Sequence, residues 1–386
     1  MGTGLLMNPL VLRGAHAVAL GRAFLRYRNP RRQRVGREHV TFHERLWRDA
    51  AEEVGATYRA LGSGIVEIEH AGVRTRMVEN VTAIDDPVTL AVLHNKPLTH
   101  AILADAGLPV PRHATFTLAR PRPAIEFLDQ LGGGDAAVKP ASGTGGGRGV
   151  TTGVRTRGHL ARAAAAAAVY CDELLIEQQL EGDNYRLLYF DGELVDAFIR
   201  RSPGVVGDGR STIATLVARA NEHRASSGVG VSQALLTVDL DMKRTLARQG
   251  RSLRSVPAAG AAVPLKTVVN ENRGAENATA THLLHPSIVD AGARATRALG
   301  ARFTGIDLIT RDPGVPLPQS GGAIIEVNGT PNLYYHYHKQ DGATPVATIL
   351  LRRLLSLDHG RAPLASAGAA TADGWARPAV AAATKE

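Results

Sequence analysis

The amino-acid sequence predicts an α/β protein of the α+β kind, built as an N-terminal α/β unit followed by two further units. Three observations predict this class. Short apolar segments typical of strands alternate with segments of helical spacing along most of the 386 residues. A glycine-rich loop at residues 143–149 separates two of these strands. A chain of this length can also bury two or three separate cores.

The first unit covers residues 1–95. Residues 42–60 carry apolar side chains at helical spacing, with Val54 and Tyr58 toward the end of the stripe, and predict one long helix. Residues 65–78 alternate between apolar and polar side chains around a tight turn and predict two short strands. We therefore expect the first unit to combine a helix with a small sheet.

The second unit covers residues 96–205 and holds the glycine-rich loop. Thr156 is placed to cap an alanine-rich helix, and Asp191-Gly192 forms a turn between two strands. The predicted helices are residues 97–106 and 158–169, and the predicted strands are residues 136–138, 150–154, 174–176, 185–190 and 193–199.

The third unit covers residues 206–360 and ends in two strands that each carry one carboxylate. Its first helix is expected to follow a cap at Ser211 and to reach about residue 224, before a less regular stretch to residue 263. The composition of residues 361–386 predicts a flexible tail. The other predicted elements are a helix at residues 287–299 and strands at residues 303–309 and 323–327.

The composition is that of an ordinary globular protein, with 44% hydrophobic and 21% charged residues. The net charge of +9 allows a nucleic-acid binder, but such a protein concentrates its charge on one face with aromatic residues among it. The dense basic cluster at residues 26–37 carries a single tyrosine, which favours a solvated surface segment. We expect no nucleic-acid partner, and positive potential also suits an enzyme with anionic substrates.

Cysteine content and hydropathy predict the compartment. Cys171 is the only cysteine, so intramolecular disulfides are impossible and nothing favours an oxidising compartment. No apolar run reaches the roughly 18 to 20 residues that a membrane helix needs. Pro9 and Arg13 interrupt the apolar residues 5–20, so a signal peptide is not expected. We expect a cytoplasmic protein with no membrane partner.

The glycine-rich loop gives the first chemical signal. It reads SGTGGGRG from Ser142, and Lys139 precedes it. Glycines let backbone N–H groups approach phosphate oxygens, and a lysine adds positive charge. The pattern fits neither the P-loop nor the Rossmann fingerprint, and it predicts a loop that covers phosphate rather than a plain hairpin turn. The predicted loop contacts are Ser142, Gly143, Gly145, Gly146 and Gly147.

Three oxygen-bearing side chains in the third unit predict a metal site. Asp307 lies in the apolar strand FTGIDLI, and Glu326 and Asn328 lie two residues apart in AIIEVNGTPNL. Side chains at strand positions i and i+2 point to the same face, and an adjacent strand would bring Asp307 beside them. Such donors suit Mg²⁺, which also binds substrate phosphates. The alternative is a pair of structural salt bridges, since a buried acid needs a partner.

Five segments, in this order, resemble the ATP-grasp superfamily, and more closely the ATP-grasp portion of cyanophycin synthetase and the D-alanine–D-alanine ligase group. The resemblance covers roughly residues 90–355. The segments are NKPLTHAILADAGLPVP, AAVKPASGTGGGRGV, LLIEQQLEGDNYRLLYFDGELV, VVGDGRSTI, and GIDLI with IIEVNGTPNL. The resemblance implies an ATP-grasp fold, in which an N-terminal α/β domain precedes two subdomains that clamp ATP, with Mg²⁺ or Mn²⁺ as the metal.

The resemblance also implies roles for single positions in phosphate and metal binding. Lys139 would contact the α-phosphate side of ATP, and Lys96 is the candidate for an earlier phosphate lysine. Some relatives carry a second lysine where His100 stands, so the residue that makes this contact stays open. The metal would be held by Asp307, Glu326 and Asn328.

The resemblance further implies a hinge at residues 177–180 that binds adenine through backbone groups, and more contacts after it. Arg186 follows the family pattern after the hinge, and Arg200 or Arg201 would stabilise phosphate or the oxyanion of an acyl phosphate. Arg273 is the candidate contact for a substrate carboxylate. The implied nucleoside contacts are Glu177, Gln178 and Leu180 for adenine, and Glu181, Asp183 or Asn184 for ribose.

The implied reaction joins a carboxylate to an amine through an acyl phosphate, with ADP and phosphate as products. The substrates would be small molecules, amino acids or a short peptide, and the enzyme a homodimer. Magnesium and arginines would neutralise the crowded negative charge of phosphoryl transfer. No covalent nucleophile is needed, and the sequence offers no convincing Ser-His-Asp or Cys-His set.

Alternatives to the ligase stay open from the sequence. They are kinase-type phosphoryl transfer or carboxylation on the same fold, a nucleotide-binding protein without catalysis, and a basic nucleic-acid binder. The aromatic and histidine run YYHYH at residues 334–338 also has three interpretations, which are lining of the acyl-substrate site, structural packing and transition-metal binding.

Overall fold

The computed structural model describes residue 14 and residues 16–21, 30–226, 235–272 and 276–357. Arg273 and the predicted tail at residues 361–386 lie outside the described residues. Within the described ranges, none of the helices combines the length and the apolar character needed to cross a membrane.

The N-terminal unit packs a long helix against a small antiparallel sheet whose strands pair in chain order. Trp47 on the helix is buried with Ile68 and Met77 on the sheet. The elements are α1, Pro30–Glu53, β1, Thr57–Gly62, β2, Ile65–His70, β3, Val73–Val78, and β4, Val81–Thr82. The two strands predicted within residues 65–78 are confirmed.

The helix predicted at residues 42–60 is correct as far as Glu53 and wrong beyond it. Gly55 has a φ of 69°, in the left-handed region that ends helices. Tyr58 then lies in β1, because threonine and tyrosine at this point favour the strand.

Two helices, α2, Pro87–Leu93, and α3, Lys96–Asp105, lead into the loop sheet, a four-stranded antiparallel sheet that carries the glycine-rich loop. Two further helices cover this sheet, and the predicted cap is confirmed, because Thr156 Oγ1 accepts the His159 N–H at 3.2 Å. These elements are β5, His113–Phe116, α4, Arg122–Gln130, β6, Ala136–Pro140, β7, Thr151–Val154, α5, Arg157–Ala167, and β8, Leu174–Gln178. The strand order is β5-β8-β6-β7, which leaves β7 at an edge.

A five-stranded antiparallel sheet, here called the central sheet, carries the predicted acidic pair. Its strands are β9, Asp183–Phe190, β10, Glu193–Arg200, β13, Ala278–Thr279, β14, Phe303–Thr310, and β15, Ala323–Asn328. They pair in the order β13-β10-β9-β14-β15. In this register Asp307 lies directly opposite Glu326 on one side and Arg186 on the other. The predicted juxtaposition of Asp307 and Glu326 is therefore confirmed.

The segment between β10 and β13 forms a smaller core of its own. Ile213, Met242 and Val263 are buried within it. Its elements are β11, Gly204–Val206, α6, Ile213–Ser226, α7, Leu240–Arg248, and β12, Ala262–Pro264, with β11 paired to β12.

Two predictions for this segment are wrong. Thr212, not Ser211, accepts the Thr215 N–H at the start of α6, because its hydroxyl lies three residues before that donor. The stretch before residue 263 is not irregular throughout, because it contains α7. Asp239 caps α7 by accepting the Met242 N–H at 3.0 Å.

Helices cover both faces of the central sheet. On one face, Tyr189 and Ile306 pack with α3 and with α8, Pro286–Ala298. On the other face, Leu188 and Phe190 pack with α1 and with α11, Val346–Leu354. Arg186 and Asp307 share the second face by the same alternation. The remaining helices are α9, Leu317–Ser320, and α10, Tyr334–Tyr337.

The unit boundaries at residues 95, 205 and 360 stay predictions. Strand pairing crosses one of these predicted boundaries. β9 and β10, which the predicted division assigns to the second unit, pair in the central sheet with β14 and β15 of the third.

Candidate active site

A cavity of about 220 Å³ is lined by residues of both the loop sheet and the central sheet. It brings together most of the residues predicted for the site. The predicted residues that line it are Lys96, Lys139, Gly145, Gly147, Glu177, Gln178, Leu180, Asp183, Asn184, Arg200, Arg201, Asp307 and Glu326.

Other predicted residues lie away from the lining. Ser142 Oγ lies 3.5 Å from Cys171 Sγ, and Arg186 lies behind Asp307. Arg273 is outside the described residues. The predicted residues that do not line the cavity are Ser142, Gly143, Gly146, Glu181, Arg186 and Asn328.

One buried carboxylate lies between two buried arginines at the cavity. Arg186 donates from Nε to Asp307 Oδ1 at 2.6 Å and from Nη2 to Oδ2 at 2.9 Å, and Arg200 Nη1 lies 3.4 Å from Oδ2. Burial alone would raise the pKa of Asp307, but the charges of Arg186 and Arg200 outweigh it and hold that pKa below its usual value. Two guanidinium groups against one carboxylate leave a net positive charge, which favours an anionic ligand.

The glycine of the GIDLI motif makes room for this ion pair. A Cβ at Gly305 would meet Arg186 Nη1 at 2.9 Å and Pro331 Cβ at 2.8 Å, closer than real Cβ contacts. Gly305 therefore lets the Arg186 side chain lie across β14 and reach Asp307.

Two buried lysines, one at the start of α3 and one in β6 of the loop sheet, reach the acidic strand β15. Lys96 Nζ lies 3.2 Å from Glu326 Oε1. Lys139 Nζ lies 2.8 Å from Glu177 Oε2 and donates to the Ile325 carbonyl oxygen at 3.3 Å. Both ammonium groups thus stand at the cavity, each beside a carboxylate that neutralises it.

The glycine-rich loop borders the same cavity through Gly145 and Gly147. Gly146 and Gly147 have φ values of 68° and 70°, where a side chain would be strained. The Thr144 carbonyl oxygen accepts from Lys96 Nζ at 3.4 Å. This path of the loop therefore depends on glycine and brings its backbone to a lysine.

His100 is buried beside both lysines and is neutral. Burial, and the positive charges of Lys139 and Lys96, lower the pKa of His100 to about 3. Its Nε2 lies 3.2 Å from the Ile325 carbonyl oxygen, so the neutral ring carries its proton on Nε2 and donates it there. His100 does not line the cavity, whereas Lys96 does, which favours Lys96 for the predicted phosphate contact.

We expect the neutral His100 ring to make the protein less stable in acid. The unfolded chain takes up this proton near pH 6.5 and the folded protein only near pH 3, so the free energy of unfolding falls as the pH drops through this window. The slope from this group approaches about 1.4 kcal/mol per pH unit. His100→Gln keeps a donor for Ile325 and should flatten the profile. Equal slopes for both proteins in urea unfolding between about pH 6 and pH 4 would contradict this assignment.

The run at residues 334–338 packs beside the cavity instead of lining it. The Arg200 guanidinium carbon lies 5.7 Å from the centre of the buried Tyr335 ring. His336 Nδ1 donates to Asp196 Oδ2 at 2.7 Å, and Lys339 Nζ donates to both oxygens of the same carboxylate at 2.9 Å. Of the three interpretations, these contacts favour structural packing.

A second cleft, of about 590 Å³, lies beside the first cavity. Among the described residues, Ser202 is the one that lines both. The lining of the second cleft comes from β11, β12 and α6, with Val205, Leu216 and Val263 among the apolar members. Among the predicted site residues that the structure describes, none lines this cleft. Its size alone does not make it the site, because the charged groups gather in the smaller cavity.

The sequence reasoning missed one side of the cavity. Thr152 of β7 lines it, as do Thr267, Val268 and Val269 from the segment after β12. Thr152 is an ordinary strand residue in the sequence, and residues 267–269 belong to no motif, so no signal marked them.

Comparisons with known proteins identify relatives in sequence. No protein-family model matches the chain. The chain is 29% identical to cyanophycin synthetase of Trichormus variabilis over 319 residues, which cover 77% of this chain and 34% of that protein. It is 31% identical to the glutathione biosynthesis bifunctional protein GshAB of Mannheimia succiniciproducens over 278 residues, which cover 70% of this chain and 36% of that protein. The chain thus spans about a third of the length of these relatives.

The fold has a match among solved structures. The bifunctional glutathione synthetase from Pasteurella multocida matches with a TM-score of 0.51 and 23% identity, over 80% of this chain and 43% of that chain. This likeness shows the fold and confirms the fold class predicted from the sequence. The chain has the ATP-grasp fold and is similar in sequence to cyanophycin synthetase and to GshAB.

Proposed function

We propose that the protein is an ATP-dependent carboxylate–amine ligase that works through an acyl phosphate. One observation carries the proposal. A single cavity is lined by the glycine-rich loop, two lysines, two arginines and two opposed carboxylates, at the positions that the superfamily resemblance implies. Relatives named for cyanophycin synthesis and glutathione biosynthesis support a ligase over a kinase. Since the chain spans about a third of their length, the activity is a proposal for this chain.

ATP fits the cavity by charge and by hydrogen bonding. Lys96 and Lys139 offer ammonium groups to the phosphates beside the glycine-rich loop. Asn184 Oδ1 is buried at the cavity with no hydrogen-bond partner among the described residues. A ribose hydroxyl would supply the donor that this oxygen lacks. Glu177, Gln178 and Leu180 would meet adenine at the other end.

A divalent cation would take Glu326 and phosphate oxygens of ATP as its main ligands, because both oxygens of Asp307 accept from Arg186 in this structure. Asp307 and Glu326 face each other across β14 and β15, and Asn328 lies two residues beyond Glu326 on the same face. No group of three or more His, Cys, Asp and Glu side chains in the described part of the chain could hold a metal. Mg²⁺ usually takes one or two carboxylates plus phosphate oxygens, which matches this set. Bound there, Mg²⁺ or Mn²⁺ would neutralise phosphate charge.

The reaction needs positive charge at the phosphate that is transferred in its first step and at the oxyanion that forms in its second step. First, a carboxylate oxygen of the substrate attacks the γ-phosphorus of ATP and ADP leaves. An amine nitrogen then attacks the acyl carbon, phosphate leaves with the transferred oxygen, and the amine proton passes to solvent. Arg200, at the cavity and almost fully buried, would stabilise the oxyanion of this second step. Arg201 is more exposed and lies 3.6 Å from Asp183, where it would meet phosphate.

The substrates, metal and assembly belong to the same proposal. Because one group of relatives is named for glutathione biosynthesis, and glutathione is a short peptide, we propose amino acids or a short peptide as the acid and the amine. Magnesium as the metal, a homodimer and a cytoplasmic location are expected from the sequence. Arg273 remains the candidate contact for the substrate carboxylate.

Product analysis over pairs of amino acids and dipeptides tests the proposal. With ATP and Mg²⁺, we expect ADP release to require both an acid and an amine. Mass spectrometry should find a product equal to the two substrates less one water. A stable phosphorylated product without any amide would replace the ligase with a kinase.

A further inference from the structure

Helix α7 binds the free edge of the loop sheet. β7 is the edge strand, so one side of its backbone has no strand partner among the described residues. Asp241 Oδ1 accepts the Thr152 N–H at 3.3 Å and the Thr152 hydroxyl at 2.7 Å. Arg244 Nε donates to the Thr152 carbonyl oxygen at 3.0 Å, and its Nη2 donates to that of Gly153. Side chains of α7 therefore take the place of a neighbouring strand.

The second oxygen of Asp241 holds another side of the cavity. Oδ2 accepts the Thr267 N–H at 3.1 Å and the Val268 N–H at 3.2 Å. Thr152, Thr267 and Val268 all line the cavity, whereas Asp241 is 1% exposed and does not. One buried carboxylate thus sets the spacing between a strand of the loop sheet and the segment after β12.

Only a carboxylate meets this set of donors. Hydrogen bonds to an ionised acceptor are stronger than neutral ones, and Asp241 accepts four of them. Asparagine at the same position would offer one oxygen and one NH₂ group. It could accept from Thr152 or from Thr267 and Val268, but would turn a donor against the other side.

We propose that Asp241 is a positioning residue for ATP, because it holds Thr152 and residues 267–268 at the separation that the nucleotide needs. This inference rests on the proposed function, since it takes ATP as the ligand of the cavity. Asp241 acts only through these residues and touches no substrate.

Direct binding of ATP to full-length Asp241→Asn tests the inference separately from catalysis. By titration calorimetry with Mg²⁺ we expect ATP affinity to fall at least about tenfold, the effect of losing a hydrogen bond to a charged group. Amide exchange at residues 151–154 and 267–268 should be faster in the variant, with and without ATP. Lys243→Ala, an exposed change on the same helix, should bind as the unmodified protein does.

The outcomes separate the two proposals. If the unmodified protein binds ATP and folded Asp241→Asn binds it equally well, the inference is overturned and the ligase proposal stands. A lower melting temperature with unchanged affinity also overturns it, because Asp241 would then be merely structural. Failure of the unmodified protein to bind ATP overturns both proposals. If Asp241→Asn does not fold, Arg244→Gln replaces it, and wild-type affinity in that variant overturns the inference.

Discussion

Glu326→Gln is expected to reduce turnover at least about a hundredfold while ATP still binds. The substitution keeps the shape of the side chain and removes the charge that faces Asp307 across β14 and β15. A metal that bridges the phosphates would be held poorly, whereas the contacts proposed for adenine and ribose do not involve this residue. We therefore expect turnover to fall, and Mn²⁺ binding in the presence of ATP, measured by electron paramagnetic resonance, to weaken. ATP affinity should stay close to that of the unmodified protein.

Glu173→Gln is the matched control for this prediction. It makes the same chemical change at an exposed glutamate just before β8, outside the cavity lining, and should leave all three measurements unchanged. Wild-type turnover in Glu326→Gln would remove the metal assignment from this residue.

Arg200→Gln is expected to lower kcat by about a hundredfold to a thousandfold, or about 2.7 to 4 kcal/mol, the range for loss of one oxyanion donor. The neighbouring Arg201→Gln should lower kcat by less than about tenfold, because water screens an exposed charge. The two arginine side chains are 3% and 56% exposed, respectively. The two variants thus compare the same chemical change at a buried and at an exposed arginine.

Steady-state kinetics and melting temperatures of both arginine variants check this prediction. Asp307 keeps its two bonds to Arg186 in either variant, so both proteins should fold. A larger loss of kcat in Arg201→Gln than in Arg200→Gln would transfer the proposed oxyanion contact to Arg201.

Much of the fold could be predicted because its local signals are strong. Strands β9, β10, β14 and β15 are short apolar runs bounded by turn residues, and the predicted runs agree with them to within two residues. The two errors, a first helix predicted to be too long and a helix α7 that was not predicted, have local causes as well. The apolar stripe of α1 continues past Gly55 into a strand, and charged residues in α7 separate the buried Met242 and Leu246.

The candidate site could be predicted only in part, for a geometric reason. Strand alternation is readable from sequence, which is why Asp307 and Glu326 could be expected on one face. The bonds of Asp307 to Arg186 and Arg200 depend on the register of separate strands, over 121 and 107 residues of sequence. Asp241 reaches Thr152 across 89 residues, and no motif marks either residue.

The central claim, that a carboxylate is activated as an acyl phosphate, is tested most directly by following its oxygen. The acid found in the product screen is labelled with ¹⁸O in its carboxylate and supplied with ATP, Mg²⁺ and the amine. The carboxylate oxygen that attacks the γ-phosphorus later leaves with phosphate, so mass spectrometry should find one labelled oxygen in each phosphate released. Unlabelled phosphate formed together with ADP and the amide product would contradict the account.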